Sequence, residues 1–303
     1  MEKYSKPPLT FSEQINLLES RGLIVSNSTK AEAYLSQINY YRFSAYCLPF
    51  EVVRHQFKEN TTFEQIQGLY EFDRKLRVVI YEALELVENI TRTVVAYHLS
   101  HQYKNIFAHE NSAIFFPKFN HSEWIEKVHN EAERSHETFI EHYKHTYTDF
   151  PSLPIWMAVE IMAFGSLSKL VAGMLRQDQK AISKKYSLHS TVLISWLHTM
   201  AYIRNICAHH SRLWNRELAI GMVLPKNNWD SLNPKRIGTV IFALNTIISR
   251  FSSFSEPVIK WREKVENLLS EHPLLPNFHL SMGLPENWKE HPLWKKDLKN
   301  EQN

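Results

Sequence analysis

Seven glycines in 303 residues leave few positions for the left-handed turns that an all-β chain needs at short intervals. They also leave no phosphate cradle, since neither GxxxxGK[ST] nor GxGxxG occurs. No stretch shows clean period-2 alternation closed by Asn-Gly turns. The chain offers one helix signal after another instead. Thr10 and Glu13 form a T-x-x-E capping box, and Gly22 supplies the stop. Asn27–Ser28 opens a second helix to Ile38, and the aromatic-rich 39–50 ends near Pro49. Thr61-x-x-Glu64 opens a stretch reaching Tyr103 that would be about 40 residues as one helix, so a break is expected near Gly68 or Arg77.

Residues 105–121 read as a loop with a proline stop, and 122–147 as a polar helix. The segment from Pro151 to Leu175 begins with prolines and becomes a buried helix. Residues 178–186 are polar, and 188–213 form a further helix. Asn233–Pro234 predicts a helix to Phe251. The tail from 256 carries another helix and then a Pro-rich coil, LPENWKEHPLWKK. The expected fold class is all-α.

Hydrophobic residues at 44% and charged residues at 22% suit a globular chain with a sizeable core. A net charge of +3 neither demands nor forbids nucleic acid, because a local patch matters more than the sum. Two cysteines, Cys47 and Cys207, give no disulfide framework and fit a reducing cytoplasm. MEKYSKPPLTFSEQ has no apolar core of signal-peptide length. No apolar run reaches the roughly 18 residues of a membrane span, so a cytoplasmic location off the membrane is expected.

The chemistry concentrates in IRNICAHHSRLWNR, residues 203–216. Asn205 and His209 are four apart and share a face of an ideal helix. Arg204 and His209 are five apart, about 140° around it. Histidine exchanges a proton near neutral pH, and arginine grips a phosphate with two parallel hydrogen bonds. That pair suffices for metal-free RNA cleavage, in which the ribose 2′-OH attacks the adjacent phosphorus. The competing reading is a buried polar pair between helices. A second copy, ENITRTVVAYH at 88–98, places Arg92 and His98 late in another apolar helix. Glu88, four residues before Arg92, makes a favourable ion pair that at the surface is worth a few tenths of a kcal/mol. Two such pairs converging on one cleft would surround one phosphate.

A metal site is not expected. Cys207, His209 and His210 cannot all face one ion from one helix, and no C-x2-C or H-x3-H pair is present. His129, His136, His142 and His145 read as a solvated face. Cys207 reads as a small core residue, and Tyr40, Tyr41, Phe43 and Tyr46 as core packing, with an RNA-facing platform as the alternative.

R-x4-6-H, often with a polar residue after the arginine, is the signature of the HEPN ribonucleases, which this chain resembles. The wider context resembles the AbiD/AbiF abortive-infection proteins of bacteria. The matching pieces are INYYRFSAYCLPF, FDRKLR, the E-x3-R-x5-H segment, PIWMAVEIMAFGSLSKL, RNICAHHSRLWNR and PENWKEHPLW. They span roughly residues 5 to 295. The resemblance implies a HEPN-like helical bundle with additional N- and C-terminal helices. Residues 1–60 would pack on a core of 61–252 that carries both motifs, with 253–303 closing one compact unit. It implies phage defence by metal-free RNA cleavage, no cofactor, and a site commonly formed between two HEPN units, hence a homodimer. It also implies kinship with the RNA-guided RNases of type VI CRISPR systems, and a structured non-coding RNA as partner.

Carried over residue by residue, Arg204, Asn205 and His209 match R-N-x3-H as catalytic residues, and Arg92 with His98 would complete the site. Thr93 follows Arg92 where the family has Asn, Asp or His. His210 stands next to the motif histidine and can substitute for it. Together with Arg212, Arg216 and Glu88 it forms the expected RNA-binding set, and Trp214 is either a base-stacking platform or a core residue. The rival function is a non-catalytic RNA- or partner-binding module built on the same helices.

Overall fold

The computed structural model describes residues 7–251, 255–270 and 277–295, together with residues 3, 5 and 275. Among them are fourteen α-helices, short 3-10 turns and one two-stranded hairpin, so the fold is all-α. The described residues divide into two compact units, those within 1–77 and 268–278, and those within 78–267 and 279–303.

In the first unit, α1 (Phe11–Glu19) begins at the expected capping box: Thr10 N–H donates to Glu13 Oε2 at 2.7 Å, and Glu13 N–H to Thr10 Oγ1 at 3.2 Å. α2 (Ser28–Gln37) is capped by Asn27, and α3 (Tyr40–Cys47) by Asn39. The antiparallel hairpin β1 (Glu51–Val53) and β2 (Gln56–Phe57) follows. Phe43 and Tyr46 are buried, whereas Tyr41 is 85% exposed, so the aromatic segment is only partly core. Phe43 stacks on Phe63 with centroids 4.7 Å apart.

α4 (Phe63–Tyr103) is one unbroken helix of 41 residues. Neither Gly68 nor Arg77 interrupts it. Arg77 is instead held in the core, donating to Asp73 Oδ2, four residues earlier, at 2.6 Å. Its box uses Thr62 and Gln65, one residue later than Thr61 and Glu64: Thr62 N–H donates to Gln65 Oε1 at 2.9 Å, and Gln65 N–H to Thr62 Oγ1 at 3.3 Å.

In the second unit, the polar stretch after the loop is two helices, α5 (His121–Arg134) and α6 (Thr138–Thr146). The Pro-led segment is also two, α7 (Ile155–Ile161) and α8 (Phe164–Gly173), joined by a tight turn. α9 (Arg176–Lys185) precedes α10 (Ser190–Ala208), which stops five residues short of the expected end. α10 buries Trp196, Leu197, Met200 and Ile203, and packs on α8 and α9. α11 (Ile237–Arg250) starts three residues after Pro234, with Arg236 as its N-cap residue. Buried side chains surround most of its circumference, which makes it the centre of this unit. α12 (Ser255–Ser270) follows.

The closing segment is not coil. α13 (Phe278–Met282), a 3-10 turn at Trp288–Glu290 and α14 (Pro292–Lys295) bury Trp288 and Trp294, whose rings meet edge-on at 5.1 Å. Each fully buried aromatic of this kind contributes roughly 2–3 kcal/mol. No helix among the described residues is long and apolar enough to cross a membrane.

Candidate functional site

Helical periodicity sets Tyr81, Glu88 and Arg92 on one face of α4, since seven residues make nearly two turns. Arg92 fills its guanidinium with internal partners. Its Nη2 lies 2.6 Å from Glu88 Oε1 and donates to the Met162 carbonyl at 3.0 Å, while its Nε donates to the Val159 carbonyl at 2.7 Å. Its Nη1 reaches Asn89 Oδ1 at 3.3 Å. Val159 is in the last turn of α7 and Met162 is its C-cap residue, where carbonyls are left outside helical bonding. Arg92 thus clamps that turn onto α4.

Arg204 comes to the same carboxylate from α10. Its Nε stands 3.9 Å from Glu88 Oε2, an ion pair too long for a hydrogen bond, and this Nε is buried with no hydrogen-bond partner. The guanidinium lies 6.0 Å from the Tyr81 ring centre, within cation–π range. Its side chain is 34% exposed, against 14% for Arg92 and 10% for Glu88. The fold therefore brings both motif arginines to one carboxylate within one chain. The Arg92 guanidinium makes four internal hydrogen bonds; that of Arg204 is held loosely and partly exposed.

The end of α10 explains where the histidines go. His209 is the cap residue, with its N–H on the Asn205 carbonyl at 2.9 Å. His210 is left-handed, at φ 54°. His210 N–H donates to the Cys207 carbonyl and Ser211 N–H to the Ile206 carbonyl, both at 3.0 Å. This is a Schellman motif with histidine in the place that glycine usually takes. His209 keeps the helical bond to Asn205 and so stays about 140° around the helix from Arg204; the chain leaves the helical path at His210. Asn205, His209 and His210 are exposed. Beyond them Trp214 is buried at 1% exposure and belongs to the core, not to a stacking platform. Arg212 and Arg216 are half-buried, and Arg216 Nε donates to the Arg212 carbonyl at 2.9 Å. Cys207 is buried, as a core residue should be.

His98 has its own partners. Its Nε2 lies 2.8 Å from Asp178 Oδ1 at the start of α9, and Tyr103 donates its hydroxyl to Asp178 Oδ2 at 2.7 Å. Tyr186 at the other end of α9 donates to Thr91 Oγ1 at 3.1 Å. α9 is thus pinned along α4 at both ends. Sequence reasoning missed Tyr81 and Asp178. Tyr81 was detectable two turns before Glu88; Asp178 sits in a polar stretch with no local signal. Among the described residues no three His, Cys, Asp or Glu side chains are grouped to hold a metal ion.

The family model described as Abi-like protein matches residues 33–215, more than half of the chain and including both Arg–His motifs. The chain belongs to this family. No curated protein and no solved structure matches it. The matched region of the Abi-like chain contains Glu88, Arg92 and the whole of α10, so the arginine cluster lies within the family's own segment.

Proposed function

We propose that this Abi-like protein is a metal-independent endoribonuclease acting in abortive-infection defence. Family membership supports the defence role. The observation that carries the nuclease reading is Arg204, a half-open guanidinium held beside Glu88 and Tyr81, five residues before the exposed His209.

In this reading the His209 imidazole accepts the proton of a ribose 2′-OH. The 2′ oxygen attacks the neighbouring phosphorus, and the P–O5′ bond breaks. The leaving O5′ takes up a proton from the imidazolium, which restores the base. The products are a 2′,3′-cyclic phosphate and a 5′-OH. Arg204 binds the phosphate and offsets the charge that builds on its equatorial oxygens. Asn205 orients His209 or the phosphate. His210, Arg212 and Arg216 contact RNA on either side. Arg92 and Glu88 act by positioning Arg204, and His98 through Asp178 by fixing α9 on α4. A homodimer as the working unit and control by a bound structured RNA belong to the same proposal.

Purified protein incubated with labelled total RNA in EDTA tests the reading, beside a His209→Ala control. Cleavage by the wild type alone, with cyclic-phosphate ends, is the expected result. Equal cleavage by the variant sinks the assignment. The internal engagement of Arg92 and His98 favours one second reading, an RNA-binding module without catalysis. It predicts RNA bound through Arg204 and cut by neither protein.

A further inference from the structure

A cavity of about 980 Å³ lies between α5, α8 and the 116–120 loop, at the upper end of the size of small-ligand sites. Phe116, Phe119 and Trp124 supply its aromatic lining. Trp124 is fixed by its indole N–H on the Ser166 carbonyl at 3.1 Å. Phe119 lies against α8 because Gly173 has no side chain: a Cβ there would sit 2.6 Å from the ring. On the same wall Gly165 faces open space, with nothing within 4 Å of where its Cβ would be.

The charged lining is unbalanced. Lys127 is paired with Glu123, which also accepts from Asn120 Nδ2 at 2.9 Å. Lys118 and Lys169 are exposed and make no ion pair within 4 Å among the described residues, although Lys169 adds to the pull of Lys127 on Glu123. The remaining acid, Glu131, is pushed toward its neutral form by burial, against a hydrogen bond from the Ala163 backbone. An aromatic, apolar lining with three lysines against two carboxylates suits a ligand that is aromatic within and anionic outside. An unstacked nucleobase flanked by phosphates has that chemistry. An apolar peptide would leave Lys118 without counter-charge.

The cavity is also joined to the arginine cluster. Ala163, part of its wall, directly follows Met162, whose carbonyl Arg92 holds. The turn that Arg92 clamps therefore supports both places. We propose that this cavity is a nucleobase-binding subsite for single-stranded RNA, taking one base among Phe116, Phe119 and Trp124 and the flanking phosphates on Lys118 and Lys169. The proposal does not need the nuclease reading, since such a subsite binds RNA whether or not the strand is cut.

The test is fluorescence anisotropy with a labelled single-stranded RNA of about ten nucleotides, on the full chain carrying His209→Ala so that the probe survives. Adding Gly165→Leu fills the cavity from a position with room for it, and leucine suits a helix better than glycine. Ala172→Leu, on the same wall, is the second filling variant should the first fail to fold. The expected result is RNA affinity weakened about tenfold or more, the loss of one stacked base. Lys169→Ala should lower the salt slope of log K by about 0.7. An abasic strand of the same length should bind both proteins alike. Equal affinity of the filled and unfilled proteins for the base-bearing strand overturns the subsite, as does absence of RNA binding by both. Cleavage by the Gly165→Leu protein at the wild-type rate and affinity removes the subsite and leaves the nuclease. Gly165-dependent binding without cleavage by the wild type does the reverse.

Discussion

Arg92 Nη2 stands 2.6 Å from Glu88 Oε1, and the other oxygen of that carboxylate faces the second motif arginine, Arg204, at 3.9 Å. A carboxylate that is 10% exposed between two guanidiniums is the counter-charge for both. Glu88→Gln keeps the shape and removes the charge. Breaking a buried pair from one side costs several kcal/mol because the partner stays buried and unpaired. The residual exposure of this cluster moderates that to about 2–3 kcal/mol. Urea unfolding measures it. A loss below about 0.5 kcal/mol would mean that the cluster behaves as an ordinary surface pair.

The two arginines should respond differently to truncation. Arg92→Ala strips hydrogen bonds from the Val159 and Met162 carbonyls, and the unfolding free energy should fall by about 2–4 kcal/mol. On the proposed nuclease reading, cleavage per folded molecule should fall much less than for Arg204→Ala, because Arg92 acts only by positioning Arg204. Arg204→Ala removes a loose ion pair from a side chain one-third exposed, and stability should move by less than about 1 kcal/mol. On the proposed nuclease reading, cleavage should fall about 10²- to 10³-fold, the usual loss for one donor to the developing charge. Unfolding and single-turnover cleavage, measured on both variants, give the comparison. Matching losses of stability and cleavage in both would remove the division of labour.

His210 sits at φ 54° in the glycine position of the α10 Schellman motif. A left-handed non-glycine residue costs roughly 1 kcal/mol. His210→Gly should therefore raise the midpoint of thermal unfolding. If His210 contacts RNA, the same variant binds RNA more weakly despite its greater stability. A variant that is no more stable than the parent would show that the imidazole offsets the backbone cost through contacts of its own.

These relationships mark the limit of what the sequence makes legible. The helix series, the Thr10–Glu13 box and the Asn27 cap are local, set by residues three or four apart, and they are found where expected. The continuity of α4 is not local. Gly68 and Arg77 read as weak points, yet Arg77 lies in a buried ion pair with Asp73 and the helix runs on. The Glu88–Arg92 pair was visible from its spacing, but its partners Val159 and Met162 lie 67 and 70 residues beyond Arg92 and contribute carbonyls, which leave no side-chain signal. Trp214 had two readings in sequence, and only the packing around it decides for the core.

His109 gives the fold a dependence on pH. It is fully buried, both ring nitrogens lack a hydrogen-bond partner, and burial lowers its pKa to about 4. Glu110, 3.9 Å away, opposes that shift but is itself bonded to His129 at 2.8 Å, while His129 and His121 add to it. In the unfolded chain the group titrates near 6.5. Above that value it is neutral in both states, and its contribution to stability is complete. As the pH falls from about 6.5 to about 4, the unfolded chain takes up a proton that the native state refuses. Stability then drops by about 1.4 kcal/mol per unit at the steepest, about 3 kcal/mol in all. His109→Phe keeps a ring and removes the titration. Since neither nitrogen is bonded, the substitution should cost little at pH 7 or even stabilise. Urea unfolding of both proteins at pH 7, 6 and 5 should give curves that diverge as the pH falls, with the variant declining less steeply. Parallel curves would assign the acid sensitivity of this protein to other groups.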